Sequence, residues 1–391
     1  MYSHDTFGLG HLRRTRAIAH ALVDHAKHTS VLIISGSSIA GAFDFKARVD
    51  FIKIPSVIKL HNGDYTSLSD HIDISDTLAM RRSIIESAAV NFRPDVFIVD
   101  KEPRGLRGEL DPTLPRLKSL GCVNILGLRD VLDEPDAVRH EWERNEAASW
   151  VDRYFDRIWV YGSRDFWNPL QGVELAPSVT ARIEHVGFLA RSVPAQPFAH
   201  EGQLPKAYVL VTAGGGGDGA ELMRAVLAAH EHDRSLRFPM VFVCGPFMSQ
   251  REKLEIRHRA QRLQSAVVLD FENNLEHMIQ RATAVVAMGG YNTFCELMSF
   301  DKRALIVPRK VPRQEQLIRA MRAKAFGLVE MIDPDQAKNP RALAAVLQRL
   351  PTRPRPSESS YAINLDGLTR IAEDVDIVRS RSEASRPRAY A

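Results

Sequence analysis

Short β-branched and apolar runs alternate along the chain with longer amphipathic stretches. Val31–Ile34, Phe51–Ile54, Val96–Val99, Val123–Leu126 and Ile158–Tyr161 predict strands. A second series follows at Tyr208–Thr212, Met240–Cys244, Ala266–Leu269, Ala284–Ala287 and Ala304–Val307. Leu12–Val23, Thr77–Val90, Leu222–His230 and Gln314–Ala325 have helical spacing. In the first of these, Leu12, Ile18, Ala19, Leu22 and Val23 share an apolar face. Nearly continuous apolar strands alternating with helices predict parallel sheets covered on both faces. The strand that normally opens such a domain is almost missing before Met1-Tyr2-Ser3-His4, so it is either very short or lies upstream of Met1.

The two series are separated by a stretch rich in Pro, Gly and polar residues, which reads as a linker. The predicted fold class is α/β, with two Rossmann-like domains and a cleft between them. The expected boundaries are 1–190, a linker at 191–204, a second domain at 205–350, and a Pro-rich segment, helix and disordered tail at 351–391. The last helix is expected near Leu365–Val378, with fraying from Arg379.

A length of 391 residues suits two ordinary domains. Apolar residues at 45% and charged residues at 26% are those of a globular protein. The formal charge of +4 is too weak for a nucleic-acid binder but suits anionic small ligands. Cys122, Cys244 and Cys295 are scattered and form no zinc or redox motif, so they read as buried thiols in a reducing compartment. No apolar run approaches the length of a membrane helix, and no signal core opens the chain. The expected location is cytoplasmic.

Ligands of open α/β sheets bind beyond the carboxyl ends of the strands, and four such places carry chemistry. Gly8-Leu9-Gly10-His11-Leu12-Arg13-Arg14 leads into the first helix. Its glycines admit a ligand close to the backbone, and His11 is suited to accept a proton. A glycine turn capped by a histidine would read the same way. Gly214-Gly215-Gly216-Gly217-Asp218-Gly219 lies between a strand and a helix and suits a phosphate, without the Lys of a Walker loop. Gly289-Gly290-Tyr291-Asn292-Thr293 presents N–H and hydroxyl donors, with Glu296 one turn further on the same helical face, where it could accept from ribose hydroxyls or simply be solvated. The segment Pro308–Gln316 is basic, and Gln314 and Gln316 can bond sugar hydroxyls through donors and acceptors alike.

The order Gly-Gly-Tyr-Asn-Thr-x-x-Glu, Ile-Val-Pro, Gln-x-Gln and Ala325-Phe326-Gly327-Leu328 resembles the donor-binding half of family 28 (MurG-like) glycosyltransferases, which have the GT-B fold. The Gly214–Gly219 loop is similar to that family's Gly-Gly-Ser loop, with glycine in place of serine. More narrowly, the chain resembles a bacterial branch of predicted glycosyltransferases. The resemblance implies a nucleoside-diphosphate sugar, usually UDP-linked, held by Gly214, Gly215, Gly216, Gly290, Asn292, Thr293, Glu296, Gln314 and Gln316. It implies an acceptor in the first domain, beside Gly8 and Gly10, with His11 as general base in a metal-independent inverting displacement and no cofactor; Arg14 lies on the same acceptor side, and Asp100, directly after a strand, could assist the chemistry or be a structural turn aspartate. The acceptor is open between a glycan, a lipid-linked sugar and a small molecule.

Arg81, Arg82, Arg104 and Arg107 leave room for peripheral contact with the inner face of a membrane. The Asp-x-Asp runs Asp333-Pro334-Asp335 and Asp374-Val375-Asp376 read as a loop and a polar helix face rather than a metal site. Gly8-x-Gly10-His11-x-x-Arg14 also resembles the start of PseG-type nucleotide-sugar hydrolases, so hydrolysis or epimerisation on the same fold remains an alternative. A non-catalytic nucleotide-sugar-binding protein is a third reading.

Overall fold

A computed structural model describes the chain except residues 5–9, 60–64, 69–70, 196–197, 199, 216, 264 and 386–391. The chain divides into two compact units, residues 1–189 with 366–391, and residues 190–365.

The first unit contains β1 (Tyr2–Ser3), β2 (Val31–Ser35), β3 (Val49–Lys53), β4 (Val57–Lys59), β5 (Tyr65–Ser67), β6 (Val96–Asp100), β7 (Val123–Arg129), β8 (Arg157–Tyr161) and β9 (Ile183–His185). β4 and β5 form a separate antiparallel hairpin. The others form one sheet in the order β3-β2-β1-β6-β7-β8-β9, parallel throughout. The opening strand is therefore present but only two residues long, with Tyr2 level with both Ile34 and Val99. The helix Gly10–His25 follows it and buries Leu12, Ile18, Ala19, Leu22 and Val23, the face expected from spacing.

The last helix, Gly367–Ser385, packs against the helix Gly10–His25. It continues past the expected fraying point at Arg379, and residues 386–391 of the expected tail lie outside the described residues. Its entry is tight, because a Cβ on Gly367 would meet the Phe188 carbonyl oxygen at 2.8 Å. The second Asp-x-Asp run has structural work here. Asp374 accepts from the Trp159 indole N–H at 2.9 Å and pairs with Arg157 at 2.8 Å, while Asp376 pairs with His25 at 3.0 Å.

The second unit contains β10 (Val209–Thr212), β11 (Met240–Val243), β12 (Ala266–Leu269), β13 (Ala284–Ala287), β14 (Arg303–Ile306) and β15 (Glu330–Met331). They form a parallel sheet in the order β12-β11-β10-β13-β14-β15. Strands β10, β11, β13 and β14 are buried except for half-buried Arg303, as a sheet covered on both faces requires. The Pro-rich stretch packs on this unit, with Tyr361 stacked on Phe326 at 4.0 Å between ring centroids.

Each sheet reverses its strand order at one point, between β1 and β6 in the first unit and between β10 and β13 in the second. Loops leaving adjacent strands there diverge to opposite faces and open a crevice. Three of the four motif segments follow these strands, and the fourth, Pro308–Gln316, follows the adjacent β14.

Candidate functional site

In the first unit, β1 leads to His11 and β6 ends in Asp100. His11 is the second residue of the helix Gly10–His25, and its Nδ1 hydrogen-bonds Asp100 Oδ2. One turn on, Arg14 donates from Nε and Nη2 to Asp100 Oδ1 at 2.9 and 2.7 Å and from Nη2 to Oδ2 at 2.6 Å. A carboxylate only accepts, so Nδ1 of His11 carries the proton, and Nε2 of the neutral ring keeps its lone pair. Asp100 and Arg14 are buried, whereas the His11 side chain remains 19% exposed. Burial alone would raise the Asp100 carboxyl, but Arg14 and then His11 hold it far below the usual carboxylate range. It is therefore a permanent anion that orients the imidazole and can stabilise its protonated form.

Tyr161 ends β8 and is fully buried. Its hydroxyl, which has no hydrogen-bond partner among the described residues, lies in the field of Asp100 and Arg14. Gly127, level with Asp100 on the intervening strand β7, makes room for it, since a methyl there would overlap the Tyr161 hydroxyl. Beside this group runs a second buried network. Arg81 donates from Nε to Glu109 Oε2 at 2.6 Å and from Nη2 to Oε1 at 2.7 Å, and the Tyr2 hydroxyl donates to the same Oε1 at 2.5 Å. Arg81 therefore belongs to the interior, not to a basic surface patch. Arg104 is held by Asp111 at 2.6 Å, and Arg107 lies over the Tyr65 ring.

In the second unit, Thr212, Ala287 and Ile306 are level at the ends of β10, β13 and β14, so the three loops that follow start from neighbouring points. Gly214 needs its φ of 62° and Gly219 its missing side chain, because a Cβ on Gly219 would overlap that of Ala213. Gly290 differs. It is the N-cap of the helix Tyr291–Ser299, its φ is −58°, and a Cβ there would meet nothing within 4 Å. Neither strain nor packing demands glycine at that position, and no side chain caps the helix end. The first backbone N–H groups of a helix are the ones that meet an anion.

Asn292 and Thr293 are nearly buried and Glu296 is wholly shielded from solvent. Arg191, first residue of the expected linker, donates from Nη2 to Asn292 Oδ1 at 2.8 Å, and its backbone N–H bonds Ser299 Oγ at 2.9 Å. Gln316 Oε1 accepts the Arg309 backbone N–H at 3.2 Å. Arg309 in turn bridges Asp218 of the glycine loop, at 2.6 Å, and Glu315, at 3.0 Å. The first Asp-x-Asp run is also occupied: Asp333 accepts the Asp335 N–H, and both carboxylates pair with Lys310.

The structure thus brings His11, Arg14 and Asp100 into one hydrogen-bonded group, with Gly10 at the head of the same helix. It sets Gly214, Gly215, Gly290, Asn292, Thr293, Gln314 and Gln316 on the loops that follow β10, β13 and β14 and on the first turns of the helices after them. Gly8 and Gly216 lie outside the described residues. Sequence reasoning passed over Tyr161, Gly127, Glu109, His4 and Arg191. None stands in a motif, and the only signal for them is position at a strand end or beside a motif loop. No helix among the described residues is long and apolar enough to cross a membrane.

Residues 208–375 match the model for the glycosyltransferase family 28 C-terminal domain. No curated protein matches the sequence. Among solved structures, the chain is similar to the calicheamicin glycosyltransferase CalG4, at 14% identity and TM-score 0.60 over 99% of this chain and 98% of that one. It is similar to UGT2 of Phytolacca americana, solved with UDP-2-fluoro-glucose and pterostilbene, at 15% identity and TM-score 0.61 over 98% and 95%. The match to MurG of Acinetobacter baumannii has 12% identity and TM-score 0.56 over 97% and 98%. With two Rossmann-like units the chain has the GT-B fold of these proteins, and its residues 208–375 match the family 28 C-terminal domain.

Proposed function

We propose that the protein moves a sugar from a nucleoside-diphosphate sugar, UDP-linked by family preference, to a hydroxyl of an acceptor, with inversion and without a metal. The observation that carries the reading is the His11–Asp100 bond. A carboxylate partner supports a proton on Nδ1 and Nε2 as the base, with a fixed anion behind it. His11 Nε2 takes the proton of the acceptor hydroxyl as that oxygen bonds to the anomeric carbon. The bond from the anomeric carbon to the diphosphate oxygen breaks, and its electron pair leaves with the diphosphate. N–H groups at Gly290 and the start of the helix Tyr291–Ser299 stabilise the leaving charge. The Arg191 guanidinium beside Asn292 adds to it. Gly214 and Gly215 line the donor, and Asn292 and Thr293 contact the diphosphate. Gln314 and Gln316 contact the donor sugar. Glu296 takes the ribose hydroxyls, which requires the donor to open a path to a carboxylate now shielded.

In the second reading water takes the acceptor's place, because the same Nε2 activates either O–H. One screen separates the two: purified protein with UDP-, GDP-, dTDP- and CMP-sugars, EDTA present and no acceptor, followed by melting temperature and free sugar. Stabilisation by one nucleotide series without rapid sugar release is the expected result. Rapid release makes the protein a hydrolase, and no stabilisation by any donor removes the nucleotide-sugar reading.

A further inference from the structure

A second histidine stands beside the first. His4 follows β1 and is 6% exposed, and its ring meets that of His11 edge-on, with centroids 5.6 Å apart and planes at 76°. Its Nδ1 lies 3.3 Å from the Tyr2 hydroxyl oxygen. That hydroxyl has one proton, which it donates to Glu109, and it also accepts the Leu106 backbone N–H at 3.2 Å. Glu109 is in turn fixed by Arg81. With the tyrosine proton already committed, the bond to His4 exists only if His4 donates. The network therefore writes the His4 tautomer, with the proton on Nδ1 and a lone pair on Nε2, on the ring edge turned away from Tyr2.

Burial pushes the pKa of His4 down to about 3, with Glu102 and Asp100 opposing and Lys101 and His11 reinforcing. His4 is thus unsuited to take the proton in the reaction, and it stays neutral when His11 does. What it offers is a hydrogen-bond acceptor.

Resting on the function proposed above, we propose that His4 is a second substrate-contacting histidine of this site, whose Nε2 accepts an O–H from the attacking molecule while His11 takes the proton of the attacking oxygen. Two neighbouring imidazole lone pairs call for two O–H donors. A polyhydroxylated acceptor with adjacent hydroxyls supplies them from two oxygens, and water supplies both from one.

The test compares wild type, His4→Phe and His4→Gln in full-length protein. Diphosphate release is followed from UDP-glucose, UDP-N-acetylglucosamine, dTDP-glucose and GDP-mannose, in water alone and with methyl glucoside as the hydroxyl probe. His4→Phe keeps the ring and removes the acceptor. It is expected to lower kcat/KM roughly 10-fold, the loss of about one hydrogen bond in the transition state, with donor-induced stabilisation unchanged. His4→Gln, which retains an acceptor oxygen, recovers most of this. A loss confined to the methyl glucoside arm assigns the second O–H to a polyol, and a loss in water alone assigns it to water. His4→Phe turnover within twofold of wild type overturns the proposal.

Imidazole 15N spectra of the resting protein give a readout that does not depend on turnover. His4 is expected to hold its proton on Nδ1, without titrating, from pH 5 to 8. A proton on Nε2, or titration in that range, overturns the proposal even if the protein turns over none of these donors, an outcome that separately removes the functional reading.

Discussion

The two units place their candidate chemistry at the same point of a similar topology and fill it with opposite materials. At the first switch point stand polar side chains locked to one another: a neutral His11 with charged Arg14 and Asp100, flanked by Arg81 and Glu109. At the second stand glycines and an uncapped helix end, with charged side chains such as Arg191 and Arg309 holding loops in place. The difference follows from the tasks. Moving a proton needs a base whose tautomer and orientation are set by a neighbour. Holding a diphosphate needs many modest donors and room for the ligand to reach the backbone. A site of the first kind is built by adding side chains, and one of the second kind by removing them.

That contrast can be broken. The largest expected effect is from His11→Ala, which should lower turnover by roughly 10²–10⁴-fold while leaving donor-induced stabilisation of the second unit intact. A parallel loss of donor stabilisation would mean that the two sites are not separable in role. Next is Arg81→Met. It leaves the buried Glu109 without its guanidinium and should destabilise the protein by roughly 3–5 kcal/mol in urea unfolding. A near-neutral result would show that the network behind the first site is dispensable to the fold.

Two glycine substitutions sharpen the contrast further. Gly127→Ala overlaps the Tyr161 hydroxyl and should cost about 1–3 kcal/mol of stability through overpacking. Gly290→Ala meets open space and an ordinary φ, so stability should change by no more than ~0.5 kcal/mol. Titration with UDP should nevertheless show weakened binding, because the methyl occupies the approach to the backbone. Unchanged UDP affinity would remove Gly290 from the donor site.

A further effect is a pH dependence. His4 has a folded pKa near 3, below the usual histidine value of about 6.5, so between these values the unfolded chain binds the extra proton. Stability should therefore rise with pH across that window, with His4 contributing up to ~1.4 kcal/mol per unit. His4→Phe should flatten the slope, and an unchanged slope would place the titration elsewhere. Asp100 contributes in the opposite range. Its folded pKa is depressed, so its stabilisation is present above the ordinary carboxylate pKa and lost only in strong acid.

Most of the strands were legible in the alternation of apolar runs, because a strand covered on both faces must be apolar throughout. Val123–Leu126 and Ala284–Ala287 fell inside or on the observed strands for that reason. The short β9 and β15 did not stand out, since edge strands of two or three residues are not apolar on both faces. The glycine loops and His11 were legible because spacing along the chain carries them.

What the sequence determined by itself, then, was what is local: the α/β alternation, the loops that end strands, and the histidine at the head of a helix. The tertiary structure alone decided which distant residues complete each group. Asp100 joins His11 across 89 residues of chain, and Glu109 joins Tyr2 across 107. The last helix, far along the chain, packs back on the first unit. A hydrogen bond between strands depends on strand order and register, and these are set by burial summed over the whole sheet rather than by any segment's own pattern.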